Sequence, residues 1–176
     1  KGFSASQVEV IDIGRSSTPM FYFAVQKLKA NGGIMITASH NPAKYNGLKL
    51  CRENAIAISG DSGIYEIRDN VNSFNLIKED SQVNVAKENV LNDYIEFLLS
   101  KTQVGEIKPL NIVVDCGNGM IGPELVDLLP KLPCRFTVMF SEPDGNFPNH
   151  EANPIKEENI VALRKKVLEQ RADFGI

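Results

Sequence analysis

Between Val8 and Thr37 the side-chain pattern changes period twice, and that double change constrains the fold more than any other stretch. Val8-Glu9-Val10-Ile11-Asp12-Ile13-Gly14 alternates apolar and polar residues and is rich in β-branched side chains, so it reads as a strand halted by Gly14. Thr18-Pro19 then opens a helix, with Thr18 expected as its N-cap and Pro19 at the first helical position. Phe23 and Leu28 supply its apolar face, and Asn31-Gly32-Gly33 ends it. Ile34-Met35-Ile36 is a short apolar run, expected to be a buried strand. Strand, helix and strand in that order make a βαβ-like unit, and a crossover of this size fits a parallel sheet. Ligands of such sheets gather at the carboxyl ends of the strands.

Just past that end lies Thr37-Ala38-Ser39-His40-Asn41-Pro42, and the Asn46-Gly47 turn then leads into a strand around Leu48-Lys49-Leu50. Ser, Asn and Pro are ordinary turn residues, and Ser39 and Asn41 can bond their own backbone. His40 changes the weighting, because it is one of only two histidines and imidazole is the group most readily recruited to proton work near neutral pH. There is no G-x-S-x-G elbow and no carboxylate placed to orient the ring, so the pair does not point to a Ser-His-Asp hydrolase. A serine in a polar loop can instead carry a phosphoryl group, with up to two negative charges and three acceptor oxygens. His40, Asn41 and Lys49 are the donors that such a group needs.

Downstream, Ser59-Gly60-Asp61-Ser62 caps a helix with Ile64, Ile67 and Val71 on one face, and 72–84 is polar and irregular. Ala86 to Ser100 has helical spacing at Val90, Tyr94, Leu98 and at Leu91, Ile95, which ends a first domain expected over 1–104. A second domain is expected over 105–176. In it, Asn111 to Asp115 is a buried strand, Cys116-Gly117-Asn118-Gly119 a tight turn, and 123–129 a helix. Arg135 to Phe140 is the next strand, and Ser141 to Pro154 a long loop. The helix from Glu157 to Gln170 carries acids first and bases towards its end, and Ala172 to Ile176 is a last strand. The Cys116 turn is neither a dinucleotide fingerprint nor a Walker loop, and Asp144 to Glu151 does not count out as a calcium loop. The fold class is therefore α/β: two consecutive three-layer-like units with mixed, mainly parallel sheets, expected to be truncated at both ends.

Composition narrows the partners. A formal net charge of -3 carries no basic footprint, so nucleic acid and anionic membrane surfaces are not expected as partners. No apolar run approaches the roughly 20 residues that span a bilayer. The three cysteines, Cys51, Cys116 and Cys134, have no C-x-x-C spacing and read as free thiols of a reducing compartment, not as a zinc site.

The string Thr37-Ala38-Ser39-His40-Asn41-Pro42-Ala43-Lys44-Tyr45-Asn46-Gly47-Leu48-Lys49 resembles the phosphoserine loop of the α-D-phosphohexomutase family, in particular its phosphomannomutase/phosphoglucomutase branch. Asp115 to Gly119 and Asp144 to His150 resemble two further landmarks of that family, in the same order. The resemblance implies the later part of the family's first domain and most of its second. It implies an intramolecular phosphotransferase of the isomerase class that interconverts hexose 1-phosphate and hexose 6-phosphate through phosphoserine and a hexose 1,6-bisphosphate. The implied catalytic residues are Ser39, His40 and Lys49, with Thr37, Asn41 and His150 contacting substrate or the phosphate loop. It also implies Mg2+, reached in this chain only by Ser39 through its phosphate, because the family's Asp-Gly-Asp-Gly-Asp loop would follow Ile176. The partner is a sugar phosphate, the state a monomer or weak dimer, the location cytoplasmic, and the chain alone is expected to be inactive. Phosphoglucosamine mutase and a non-catalytic sugar-phosphate-binding homologue are the alternatives, and neither mannose nor glucose is selected.

Overall fold

The computed structural model describes residues 8–71 and 85–176. The chain divides into two compact units, one comprising 1–35 and 49–90 and the other 36–48 and 91–176. The expected irregular segment at 72–84 lies outside the described residues.

In the first unit, helix α1 (Thr18–Lys27) is capped one residue earlier than expected: the side chain of Ser17, not Thr18, accepts the Met20 N–H at 3.3 Å. Pro19 still falls in the first turn, where a missing N–H costs nothing. Strand β1 (Val10–Asp12) does not pair with β2 (Gly32–Ile36) across that helix. It pairs in parallel with β4 (Val85–Lys87), in the register Ile11 to Ala86, while β2 pairs with β3 (Leu48–Arg52). The expected helix over 86–100 is shortened accordingly, to α3 (Leu91–Ser100). A strand partner distant in sequence draws Ala86 and Lys87 out of the expected helix, as tertiary context regularly does.

Met20, Phe21, Ala24 and Val25 of α1 are buried, and Phe21 and Val25 cluster with Cys51 of β3. Gly33 lets β2 close on this helix, since a Cβ there would stand 2.7 Å from the Phe21 ring and from Val25. β2 is not the fully buried strand its composition implied. It packs one face only, leaving Ile34 44% and Ile36 72% exposed. Helix α2 (Tyr65–Val71) follows a π-helical turn at Gly60–Ile64, with a capping box between Ser59 and Ser62, but Ile67 and Val71 stay exposed.

The second unit holds the clearest sheet. Strand β5 (Asn111–Asp115) lies between β6 (Arg135–Met139) and β7 (Phe174–Gly175), all parallel. Ile112 and Val114 of β5 pack with Leu125 of α4 (Ile121–Leu128), together with Leu128 and Phe136. Val113, fully buried, is in register with Gly175, whose absent side chain would meet Leu163 and Val167 of α5 (Val161–Gln170). Paired residues share a face, so helices cover both sides of β5 and a three-layer arrangement results. The expected helix from Glu157 begins as a 3-10 turn (Glu157–Ile160) that holds the acids, and α5 has no basic residue in its last turn; its Arg164 to Lys166 run lies mid-helix. Among the described residues, no helix is long and apolar enough to cross a membrane.

Candidate active site

The Ser39 loop is held by bonds between near neighbours. Thr37 ties its N–H to the Gly47 carbonyl at 2.9 Å, closing the loop at the point where β2 ends and β3 begins. The Thr37 hydroxyl then accepts the Ser39 N–H at 3.0 Å. Asn41 turns back on Ala38, donating to its carbonyl from both the backbone (3.1 Å) and the carboxamide (2.7 Å). Inside this frame Ser39 adopts a left-handed backbone, φ 56°, which a side chain other than glycine takes up only where its surroundings impose it.

That conformation leaves Ser39, His40 and Asn41 exposed. Ser39 Oγ lies 3.2 Å from His40 Nδ1, a hydrogen bond whose donor depends on the tautomer. Among the described residues no carboxylate orients the far side of the His40 ring, so no Ser-His-Asp triad is assembled. Thr37, Ser39, His40 and Asn41 are therefore brought together as the sequence implied, with Thr37 and Asn41 as the frame. Lys49, half-buried on β3, donates from Nζ to Thr18 Oγ1 at 3.4 Å, a partner 31 residues away that sequence reasoning missed.

His150 belongs to a second constellation. Its Nε2 lies 3.0 Å from Asp115 Oδ2 and its Nδ1 2.9 Å from the Glu151 carbonyl, and its ring meets Phe140 edge-on at 5.6 Å between centroids. Both nitrogens are thus committed to oxygens of this chain. Gly117 makes room for the ring, with φ 52° and a Cβ position 3.3 Å from His150 Cε1, and its N–H bonds Asp115 Oδ1 at 2.9 Å. Buried Asn118 donates to the Glu142 carbonyl at 2.9 Å and accepts from Asn149 at 2.8 Å. The two landmarks after Asp115 and Asp144 are therefore one locked assembly at the carboxyl end of β5. Sequence reasoning missed Asp115 as its anchor. The one available signal was an aspartate two residues before a glycine at a strand end, a pattern for side-chain-to-backbone turns.

The neighbouring Cys116 thiol is pushed up to about 11 by burial and then by the Asp115 charge, so it is no nucleophile near neutral pH. Among the described residues, no group of three or more His, Cys, Asp or Glu side chains is placed to hold a metal ion.

Comparison with known proteins gives concordant matches. Residues 1–76 match the family model described as phosphoglucomutase/phosphomannomutase, alpha/beta/alpha domain I, and residues 92–176 match the model for domain II. A protein named "Phosphohexose mutases" from Xanthomonas campestris pv. campestris is 48% identical over 176 residues, covering 99% of this chain and 39% of that protein. A "Phosphomannomutase" from Salmonella typhimurium is 38% identical, covering 100% of this chain and 40% of that one. The crystal structure of a phosphoglucomutase/phosphomannomutase family protein from Burkholderia thailandensis superposes with a TM-score of 0.80 at 33% identity, over 99% of this chain and 38% of that chain. The chain thus spans about 39% of the length of the relatives it matches.

Proposed function

Since this chain belongs to the phosphoglucomutase/phosphomannomutase family, we propose that it carries the phosphoryl-transfer loop of a longer phosphohexomutase, with Ser39 as the phosphate carrier. The observation that carries this reading is the Ser39 hydroxyl itself: exposed, set in a left-handed turn, and within hydrogen-bond reach of an imidazole. In the forward step the bond between phosphorus and Ser39 Oγ breaks as one to a sugar hydroxyl oxygen forms. That yields a hexose 1,6-bisphosphate, which turns round and returns its other phosphoryl group to Ser39. His40 and Lys49 act as general base and acid at the sugar hydroxyl, taking up its proton in one direction and returning it in the other. Thr37 and Asn41 fix the loop, because transfer of this kind depends on positioning and charge neutralisation more than on covalent activation.

A divalent cation, taken as magnesium, neutralises phosphate charge in such chemistry. The described residues do not fit it alone, having no carboxylate cluster, and Ser39 contributes only an oxygen of its phosphate. The resemblance places the carboxylates beyond Ile176. The 176-residue chain by itself is accordingly inactive and binds magnesium weakly. His150 shapes the second unit's sheet edge, and the resemblance gives it a part in contacting substrate rather than in proton transfer. Two of the relatives are named for mannose or hexose phosphates, which supports a hexose phosphate as substrate.

A mutase assay tests this reading. The protein at the full length of its relatives, primed with hexose 1,6-bisphosphate, is expected to convert hexose 1-phosphate to 6-phosphate, and the 176-residue chain is not. Turnover by this chain near that of the longer protein refutes the division of labour.

A further inference from the structure

Three elements of the first unit meet at one hydroxyl. Thr18 Oγ1, on the first residue of α1, accepts from Lys49 Nζ of β3 at 3.4 Å and donates to Met35 Sδ of β2 at 3.6 Å. The direction of both bonds follows from inventory. A lysine ammonium has donors only, so the hydroxyl must turn a lone pair to it, and its single proton is left for the thioether, a weak acceptor. The helix makes no claim on this hydroxyl, because Ser17 already caps it. Thr18 is also stiff at χ1, whereas Lys49 reaches its site on a flexible four-carbon stem.

We propose that Thr18 is a positioning residue that fixes the Lys49 ammonium. Its place in the reaction rests on the reading of Lys49 as an acid-base group. A lysine that exchanges protons with a substrate must stay in place in both charge states. The Thr18 hydroxyl serves both: it accepts from the ammonium, and by rotating its proton away from Met35 it donates to the neutral amine. The sulfur loses little by being released, whereas a carbonyl or carboxylate partner has no proton to offer the lone pair of the neutral amine.

The test has two arms. In the 176-residue chain, lysines are trace-labelled with acetic anhydride from neutral to alkaline pH and read by peptide mass spectrometry. Thr18→Val, which keeps the branched shape and drops the hydroxyl, is expected to label Lys49 severalfold faster with other lysines unchanged, and Thr18→Ser to label it as the wild type does. Thr18→Ala replaces Thr18→Val should the latter not fold, with the same expectation. Unchanged Lys49 labelling in the hydroxyl-free variant overturns the proposal. In the protein at the full length of its relatives, Thr18→Val is expected to lower kcat about tenfold at unchanged KM and to alter its pH profile, with Thr18→Ser restoring both. Faster labelling with kcat and pH profile untouched upholds the anchoring and overturns the acid-base role of Lys49.

Discussion

The Ser39 loop and the His150 assembly draw on the same residue types, Asn, His, Gly and a small or acidic side chain, and use them in opposite ways. Apart from the Thr37–Gly47 bond that closes it, the bonds of the first join residues one to three apart in sequence and leave its hydroxyl and imidazole exposed. Those that lock the second join residues 24, 31 and 35 apart, on top of local bonds at Gly117 and His150. Both contain left-handed backbone, at Ser39 and at Gly117-Asn118. In one case the unusual conformation accompanies an exposed hydroxyl. In the other it lets two loops interlock. A histidine beside a turn is therefore informative only once its partners are counted: His40 has a serine, and His150 has an aspartate and a carbonyl.

Substitutions can break this contrast, and the largest effect is expected at Ser39. Ser39→Ala in the protein at the full length of its relatives should lower mutase turnover by on the order of a thousandfold or more, as removal of a group that carries the transferred moiety does. It should move the urea midpoint by no more than about 0.5 kcal/mol of stability, because the side chain is exposed. The converse holds for His150→Ala, whose ring is 15% exposed against an Asp115 side chain that is 7% exposed. Losing one member of a pair so well covered should cost about 2–3 kcal/mol in urea unfolding. A stability loss of that size at Ser39 and none at His150 would invert the comparison.

Smaller effects sharpen it. Asn149→Ala removes one bond to Asn118 and should cost about 1 kcal/mol by the same measurement. Cys116 gives a pH signature of the buried assembly. Its folded thiol titrates at about 11, above the ordinary thiol value of 9.0, so over that interval the unfolded chain sheds protons first. Stability is unaffected below the lower value and falls as pH rises towards the upper one. Cys116→Ala should make the alkaline decline in the urea midpoint shallower, leaving the contributions of Cys51 and Tyr94, which burial raises too.

The same contrast explains what the sequence made legible. β5 was read residue for residue, because a β-branched apolar run this short, stopped by Asp115, suits a buried strand and is too brief for a helix. The Ser39 frame was legible in outline, since its bonds are local and Thr, Ser and Asn form such turns by short-range chemistry. Partnerships at a distance were not. Nothing in Val85-Ala86-Lys87 announces that β1 will recruit it as a parallel strand, and nothing near Asp115 points 35 residues on to His150. The helix cap slipped by one because Ser17 and Thr18 are equally good caps in isolation. That slip concealed the spare hydroxyl now found on Lys49.

One measurement reaches the central claim most directly: fragmentation mass spectrometry of the protein, at the full length of its relatives, after exposure to hexose 1,6-bisphosphate. A single phosphate on Ser39, lost in Ser39→Ala, is the predicted result. Phosphate on another residue, or its persistence in Ser39→Ala, would contradict the account.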